Sequence, residues 1–147
     1  MKILEIIQNK KTYLPLLLLA DEQESMIDKY LPRGTMYALD DDGVKAVCVV
    51  TDEGEGVLEI KNLAVLPSCQ RRGYGRRMVE FIRQKYSGAY KILQVGTGDS
   101  PLTVPFYEAC GFKRSHVVKD FFTQNYDHPI FEAGVQLMDM VYFRLVI

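Results

Sequence analysis

The chain has 147 residues, 48% apolar and 25% charged, with a formal net charge of −1. That is the balance of an ordinary globular domain long enough for one core, read as a single domain over residues 1–147. A near-neutral chain has no overall basic field to draw in nucleic acid or an anionic membrane. Three cysteines without CxxC spacing, and only two histidines, argue against a disulfide framework and a zinc site, so no metal is expected.

Met1 to Gln8, with Ile3, Leu4, Ile6 and Ile7, predicts a strand. Leu14 to Ala20 (LPLLLLA, after Lys10-Lys11) faintly resembles a secretory h-region. The run is short and follows a strand-like segment, so a helix is expected there and a cleaved signal is not. No segment approaches the ~20 apolar residues of a membrane span, and the expected compartment is the cytoplasm. Asp21 to Leu31 predicts a second helix, with Asp21, Glu22 and Glu24 at its start and Pro32-Arg33-Gly34 at its stop. Strands are expected over Thr35–Leu39, Val44–Thr51 and Val57–Val65, joined by the turns Asp40-Asp41-Asp42-Gly43 and Asp52 to Gly56. Gly73 to Tyr86 has helical spacing, with Met78, Val79, Phe81 and Ile82 on one side. A strand over Tyr90–Val95 and a short helix over Val104–Cys110, closed by Gly111, come next. Phe112–Phe122 and Val135–Val146 are read as the last strands, with Thr123–Gly134 as a loop between them. A strand, a helix and another strand in succession imply a central parallel pair, and the flanking hairpins imply antiparallel neighbours. The fold class is α/β with a mixed sheet and helices on its faces.

One stretch is out of place. Gln70-Arg71-Arg72-Gly73-Tyr74-Gly75-Arg76-Arg77 puts four arginines where a helix is about to begin. The start of a helix carries partial positive charge, and exposed cations there cost roughly 0.3–1 kcal/mol each. The arrangement makes sense if an anion binds. The loop and first helical turn offer free N–H groups, and Gly73 and Gly75 let a phosphate approach the backbone. The spacing is neither a nucleoside-triphosphate loop nor GxGxxG, because Met78 stands at the third glycine position.

Val65-Leu66-Pro67 followed by Gln70 to Gly75 resembles motif A of the GNAT superfamily of N-acetyltransferases, V-x-P-x-x-[RQ]-x-x-G-x-[GA]. Downstream, Phe106-Tyr107-Glu108-Ala109-Cys110-Gly111-Phe112 resembles that family's F-Y-x-x-x-G-F element. The order of elements agrees over essentially the whole chain. The resemblance implies a central mixed sheet of about seven strands flanked by about four helices. It implies acetyl-CoA as donor, with its pyrophosphate on Gln70, Arg71, Arg72, Gly73, Tyr74, Gly75 and Arg76. Its pantetheine would lie beside Leu63, Ala64 and Val65, where the parallel strands splay apart.

By the same resemblance, Tyr107 is the general acid that protonates the departing thiolate, and Glu59 is the base on the acceptor side, directly or through a water. Strict alternation would put Glu59 on the face of Val57, Lys61 and Leu63. Ser100 stands where many members carry an Asn that contacts the cofactor. Ser100-Pro101 equally reads as a helix cap and first residue. Pro105 requires that the helix start near Thr103 or be kinked.

The acceptor is expected to be a primary amine on a small molecule or on a protein or peptide. Asp21–Gly34 and Thr123–Gly134 are the expected acceptor walls, with Asp120, Asp127, Glu132, Phe121, Phe122 and Tyr126 available to hold a cation. The alternative reading is an acyl-CoA-binding module without catalysis. The apolar end Val141–Ile147, if it lies at a sheet edge, would allow a homodimer.

Overall fold

The computed structural model describes residues 1–147. In chain order the elements are β1 (Lys2–Ile6), α1 (Leu14–Ala20), α2 (Glu24–Ile27), β2 (Thr35–Asp40), β3 (Val44–Asp52), β4 (Val57–Val65), α3 (Tyr74–Tyr86), β5 (Ile92–Gly98), α4 (Val104–Ala109), β6 (Lys113–Val118), α5 (Phe121–Asn125), β7 (Phe131–Glu132), β8 (Val135–Gln136) and β9 (Met140–Val146). Seven strands form one sheet in the order β1-β2-β3-β4-β5-β9-β6. β4 and β5 are parallel and every other neighbouring pair is antiparallel.

Two cores flank this sheet. On one face, α3 lays Met78, Val79 and Ile82 against Cys48, Val50, Ile60, Leu93 and Phe143, and α4 adds Val104 and Tyr107. On the other face, Leu16 and Leu17 of α1 join Ile27, Tyr30 and Leu31 against Met36, Val47 and Val49. Each buried aliphatic side chain contributes roughly 1.5–3 kcal/mol, so the helical spacing of α3 is what fixes it to the sheet.

β4 carries an irregularity that sequence alternation misses. Val49 pairs with Asn62 but Val50 pairs with Ile60, which leaves Lys61 as an extra residue in the strand. Such a bulge bends the strand and exchanges its faces. Leu58 and Ile60 before it face α3, while Ala64 after it packs on the α1 side. Glu59 therefore does not share a face with Leu63, contrary to strict alternation.

The end of the chain differs more from expectation. The Phe112–Phe122 strand stops at Val118, and α5 follows after Asp120, which adopts φ 56. The Asp139 carboxylate accepts the Asp120 N–H at 2.8 Å and fixes that start. Thr123–Gly134 is not all loop: Phe131–Glu132 pairs with Val135–Gln136 across Ala133 and Gly134. Both turn residues have positive φ, 49 and 76, as a tight two-residue hairpin requires. Phe122, Ile130 and Leu137 form a small core under this hairpin. β9 lies between β5 and β6, so the apolar C-terminal strand is not at a sheet edge and does not offer one to a second chain.

Candidate active site

The site begins where β4 and β5 part. They pair only from Val57–Ile60 to Ile92–Val95. Beyond that point Lys61–Val65 and Gly96–Gly98 diverge around a cleft of about 790 Å³. The bulge at Lys61 falls at the parting.

At one end of the cleft, a short 3₁₀ turn over Pro67–Cys69 leads into α3. The first α3 N–H with a backbone acceptor is that of Arg77, on the Gly73 carbonyl. The N–H groups of residues 71–76 have no backbone partner. Arg71 at φ 65 and Gly73 at φ 85 put two left-handed residues in this stretch, the backbone pattern of anion-binding nests. A left-handed backbone at a non-glycine residue costs about 1–3 kcal/mol and persists where the surroundings impose it. Gly73 has open space where a Cβ would stand, which suits close approach by a ligand. Gly75 lines the cleft and also has a packing role. It is buried, and a Cβ there would stand 3.1 Å from the Phe106 ring, so its bareness lets α3 pack on α4. The Tyr74 hydroxyl donates to Asp41 Oδ2 at 2.7 Å, tying α3 to the β2–β3 turn. Free donors, a helix start and exposed arginines fit a pyrophosphate.

Tyr107 stands in the cleft wall on α4. The helix starts at Val104 with Thr103 as its cap, so Pro105 falls in the first turn, where its missing N–H is not needed. Beyond Cys110, Gly111 at φ 96 closes α4: its N–H reaches Glu108 O and the Phe112 N–H reaches Tyr107 O, each at 3.0 Å. Phe106 and Phe112 pack edge-on against the Tyr107 ring, 5.0 and 5.6 Å between centroids. Burial, and then Cys48, Cys110 and Glu132 around it, push the phenol far above the ordinary tyrosine range. It holds its proton at any working pH.

Ser100 is buried and its hydroxyl accepts the Leu102 N–H at 3.0 Å. It does not line the cleft, unlike Pro101, Leu102 and Thr103, and its hydroxyl serves the local turn that the capping alternative expects. Thr97 and Thr103, which the sequence did not single out, do line the cleft and bond each other at 2.7 Å.

A second cavity of about 300 Å³ shares Asp21, Ile60, Lys61, Gly96, Tyr126 and Met140 with the cleft. Glu59 lines it and is 5% exposed. Both oxygens are engaged: Gln94 Nε2 donates to Oε1 at 2.6 Å, and Lys61 Nζ lies 2.8 Å from Oε2. Arg144 Nε in turn donates to Gln94 Oε1 at 2.8 Å. The Tyr142 phenol beside them is pushed up to about 12, first by burial and then by Glu59 and Glu53.

Asp21, at the end of α1, accepts from the hydroxyls of Tyr30 at 2.9 Å and Tyr126 at 2.5 Å. Burial pushes its carboxyl above the usual range, against the two hydrogen bonds. Asn62 Nδ2 donates to Tyr30 Oη at 3.1 Å, extending the chain of bonds into β4. Of the expected cation holders, Phe122, Tyr126 and Glu132 line the cleft, and Phe121 the second cavity. Asp120 and Asp127 line neither. No helix is long and apolar enough to cross a membrane, and no cluster of three His, Cys, Asp or Glu side chains could hold a metal ion.

A parallel pair that opens beside a helix start with free N–H groups is the arrangement that the resemblance to the GNAT superfamily implies for a CoA donor. Residues 32–114 match the family model described as "Acetyltransferase (GNAT) domain". The chain belongs to the GNAT acetyltransferase family and is an acetyl-CoA-dependent transferase. It is 37% identical over 129 residues to the uncharacterized N-acetyltransferase YvbK of Bacillus subtilis (strain 168), covering 86% of this chain and 83% of YvbK. Among solved structures it is similar to a GNAT family acetyltransferase from Elizabethkingia anophelis with acetyl-CoA bound, at TM-score 0.93 and 30% identity over 99% of this chain and 97% of that one. It is also similar to a Bacillus subtilis acetyltransferase in complex with CoA, at TM-score 0.89 and 33% identity over 99% and 98% of the two chains.

Proposed function

We propose that residues 1–147 act as one domain that transfers the acetyl group of acetyl-CoA to a primary amine, by direct attack with both substrates bound. The observation that carries this is the parting of β4 from β5, with the free N–H row at one end and Tyr107 in the wall. Bound acetyl-CoA supplies an acetyl group activated as a thioester. The N–H groups of residues 71–76, with Arg71, Arg72 and Arg76, hold its pyrophosphate, and Gln70 flanks them. Leu63, Ala64 and Val65 offer the pantetheine amides a strand edge that has no partner past Ile60. Tyr107 carries the proton that the departing thiolate needs.

Glu59 is better placed as a positioning residue than as the base. It holds Lys61 in the wall of the second cavity and bonds to Gln94, so both its oxygens are already engaged.

Calorimetric titration with acetyl-CoA tests the donor site. Wild type should bind saturably, and an Arg72→Glu, Gly73→Asp variant should lose at least about 100-fold in affinity, through lost charge contacts and a strained φ. Wild type should then release thiol with at least one member of a primary-amine panel. Folded wild type that ignores acetyl-CoA at high micromolar concentration sinks the proposal.

A further inference from the structure

Three carboxylates line the cleft: Asp21, Glu22 and Glu132. Asp21 is held by the two tyrosine hydroxyls. Glu22 Oε1 faces His128 Nε2 at 3.0 Å. Glu132, on the β7–β8 hairpin, has no such partner: its Oε2 is enclosed by the protein without a hydrogen bond. A buried acceptor left unpaired is a cost that folded proteins rarely carry without a use. The same carboxylate is close enough to Tyr107 to oppose ionisation of the phenol. One carboxylate without a partner therefore stands in the cleft wall near the Tyr107 phenol. The cations of the cleft do not answer it, because Lys61 is paired with Glu59, and Arg71 and Arg76 stand at the helix start.

Resting on the acetyltransferase reading above, we propose that Glu132 is the catalytic carboxylate that receives the acceptor's ammonium and takes one of its protons. An N–H bond of the ammonium breaks, its electron pair stays on nitrogen, and the proton passes to the Glu132 carboxylate. The neutral amine then has the lone pair that attack requires. The acceptor class is an aliphatic ammonium, cationic at neutral pH. Glu132 and Tyr107 divide the work, one taking a proton from the nucleophile and the other giving one to the leaving group.

The test uses the whole chain saturated with CoA and, as probes, 1,4-diaminobutane, lysine and β-alanine. NMR titration reads binding, and thiol release from acetyl-CoA reads turnover. Glu132→Gln should bind acetyl-CoA as wild type does, which shows that it is folded. It should weaken binding of the preferred probe about tenfold and lower kcat/KM about 100-fold, within the range general-base groups supply. Its rate should keep rising with pH toward the pKa of the free amine, where wild type has levelled off, and Glu132→Asp should restore part of the rate. A Glu132→Gln enzyme with the wild-type rate and pH profile overturns the assignment, as does a wild type that binds none of the probes. Those outcomes, with acetyl-CoA binding intact, remove Glu132 and leave the transferase reading standing. Absence of acetyl-CoA binding by wild type removes both.

Discussion

The two ends of the cleft are built in opposite ways. The end proposed for the donor is local: β4, a 3₁₀ turn and the start of α3 lie within Val57–Tyr86, and the N–H groups of residues 71–76 have no backbone partner. The acceptor end is assembled from afar: Asp21 from α1's end, Tyr126 after α5 and Glu132 from the hairpin meet only because the sheet brings them together. Backbone donors recognise a phosphate whatever the side chains are, whereas the acceptor end depends on individual side chains. Substitutions should therefore divide cleanly between the two substrates, and a substitution that moves both would break the contrast.

Tyr107→Phe gives the largest expected separation. Removing the hydroxyl should lower kcat about 100-fold while acetyl-CoA affinity stays within about twofold, because the ring packing on Phe106 and Phe112 is kept. Steady-state kinetics beside calorimetry would check it. An unchanged kcat would assign the proton on the thiol side to water. Asp21→Asn should act from the other end, raising the KM for the acceptor about tenfold with acetyl-CoA affinity unchanged, since it removes a charge held between two phenols. A weakened acetyl-CoA affinity instead would mean that the two ends are mechanically coupled.

The same contrast explains what the sequence disclosed. The donor end was legible because its residues are contiguous and chemically odd: arginines and glycines at a helix start need a reason. Tyr107 was legible from Phe106 to Phe112, a run whose Gly111 closes the helix as expected. Glu59 was wrongly grouped on one face with Leu63, because a bulge at Lys61 cannot be read from alternation. α5 was divided between the expected strand, which took Phe121-Phe122, and the expected loop, because the carboxylate that fixes its start, Asp139, lies 19 residues from Asp120. The β7–β8 hairpin turns on Ala133-Gly134, a weaker signal than Asn-Gly. Gly96 and Gly98 carried a signal that was passed over. A Cβ at either would stand about 2.5–2.6 Å from Leu137 or Met140, so their bareness marks the place where the acceptor wall closes on β5.

The acceptor end also holds a pH-sensitive tie, whose effect should be the smallest. His128 faces Asp127 Oδ1 and Glu22 Oε1, and the Asp127 N–H donates to Gln23 Oε1 at 2.9 Å. Together with Tyr126 on Asp21, these contacts fasten the segment after α5 to the segment after α1. The Asp127 carboxylate first, and Glu22 second, raise the imidazole above its ordinary value of 6.5. Because the folded value lies above the unfolded one, the tie is fully present below about pH 6.5 and is lost as pH rises through the raised value. The ratio of acceptor KM between His128→Gln and wild type should thus be highest in mild acid and fall toward one in alkali. The pair is exposed, so the change should be about twofold and should shrink with salt. Taking the ratio cancels the acceptor's own titration, which is common to both proteins. Acetyl-CoA affinity should stay flat across the same range in both, since His128 touches nothing at the donor end; a parallel drift would show that the tie sets the width of the whole cleft.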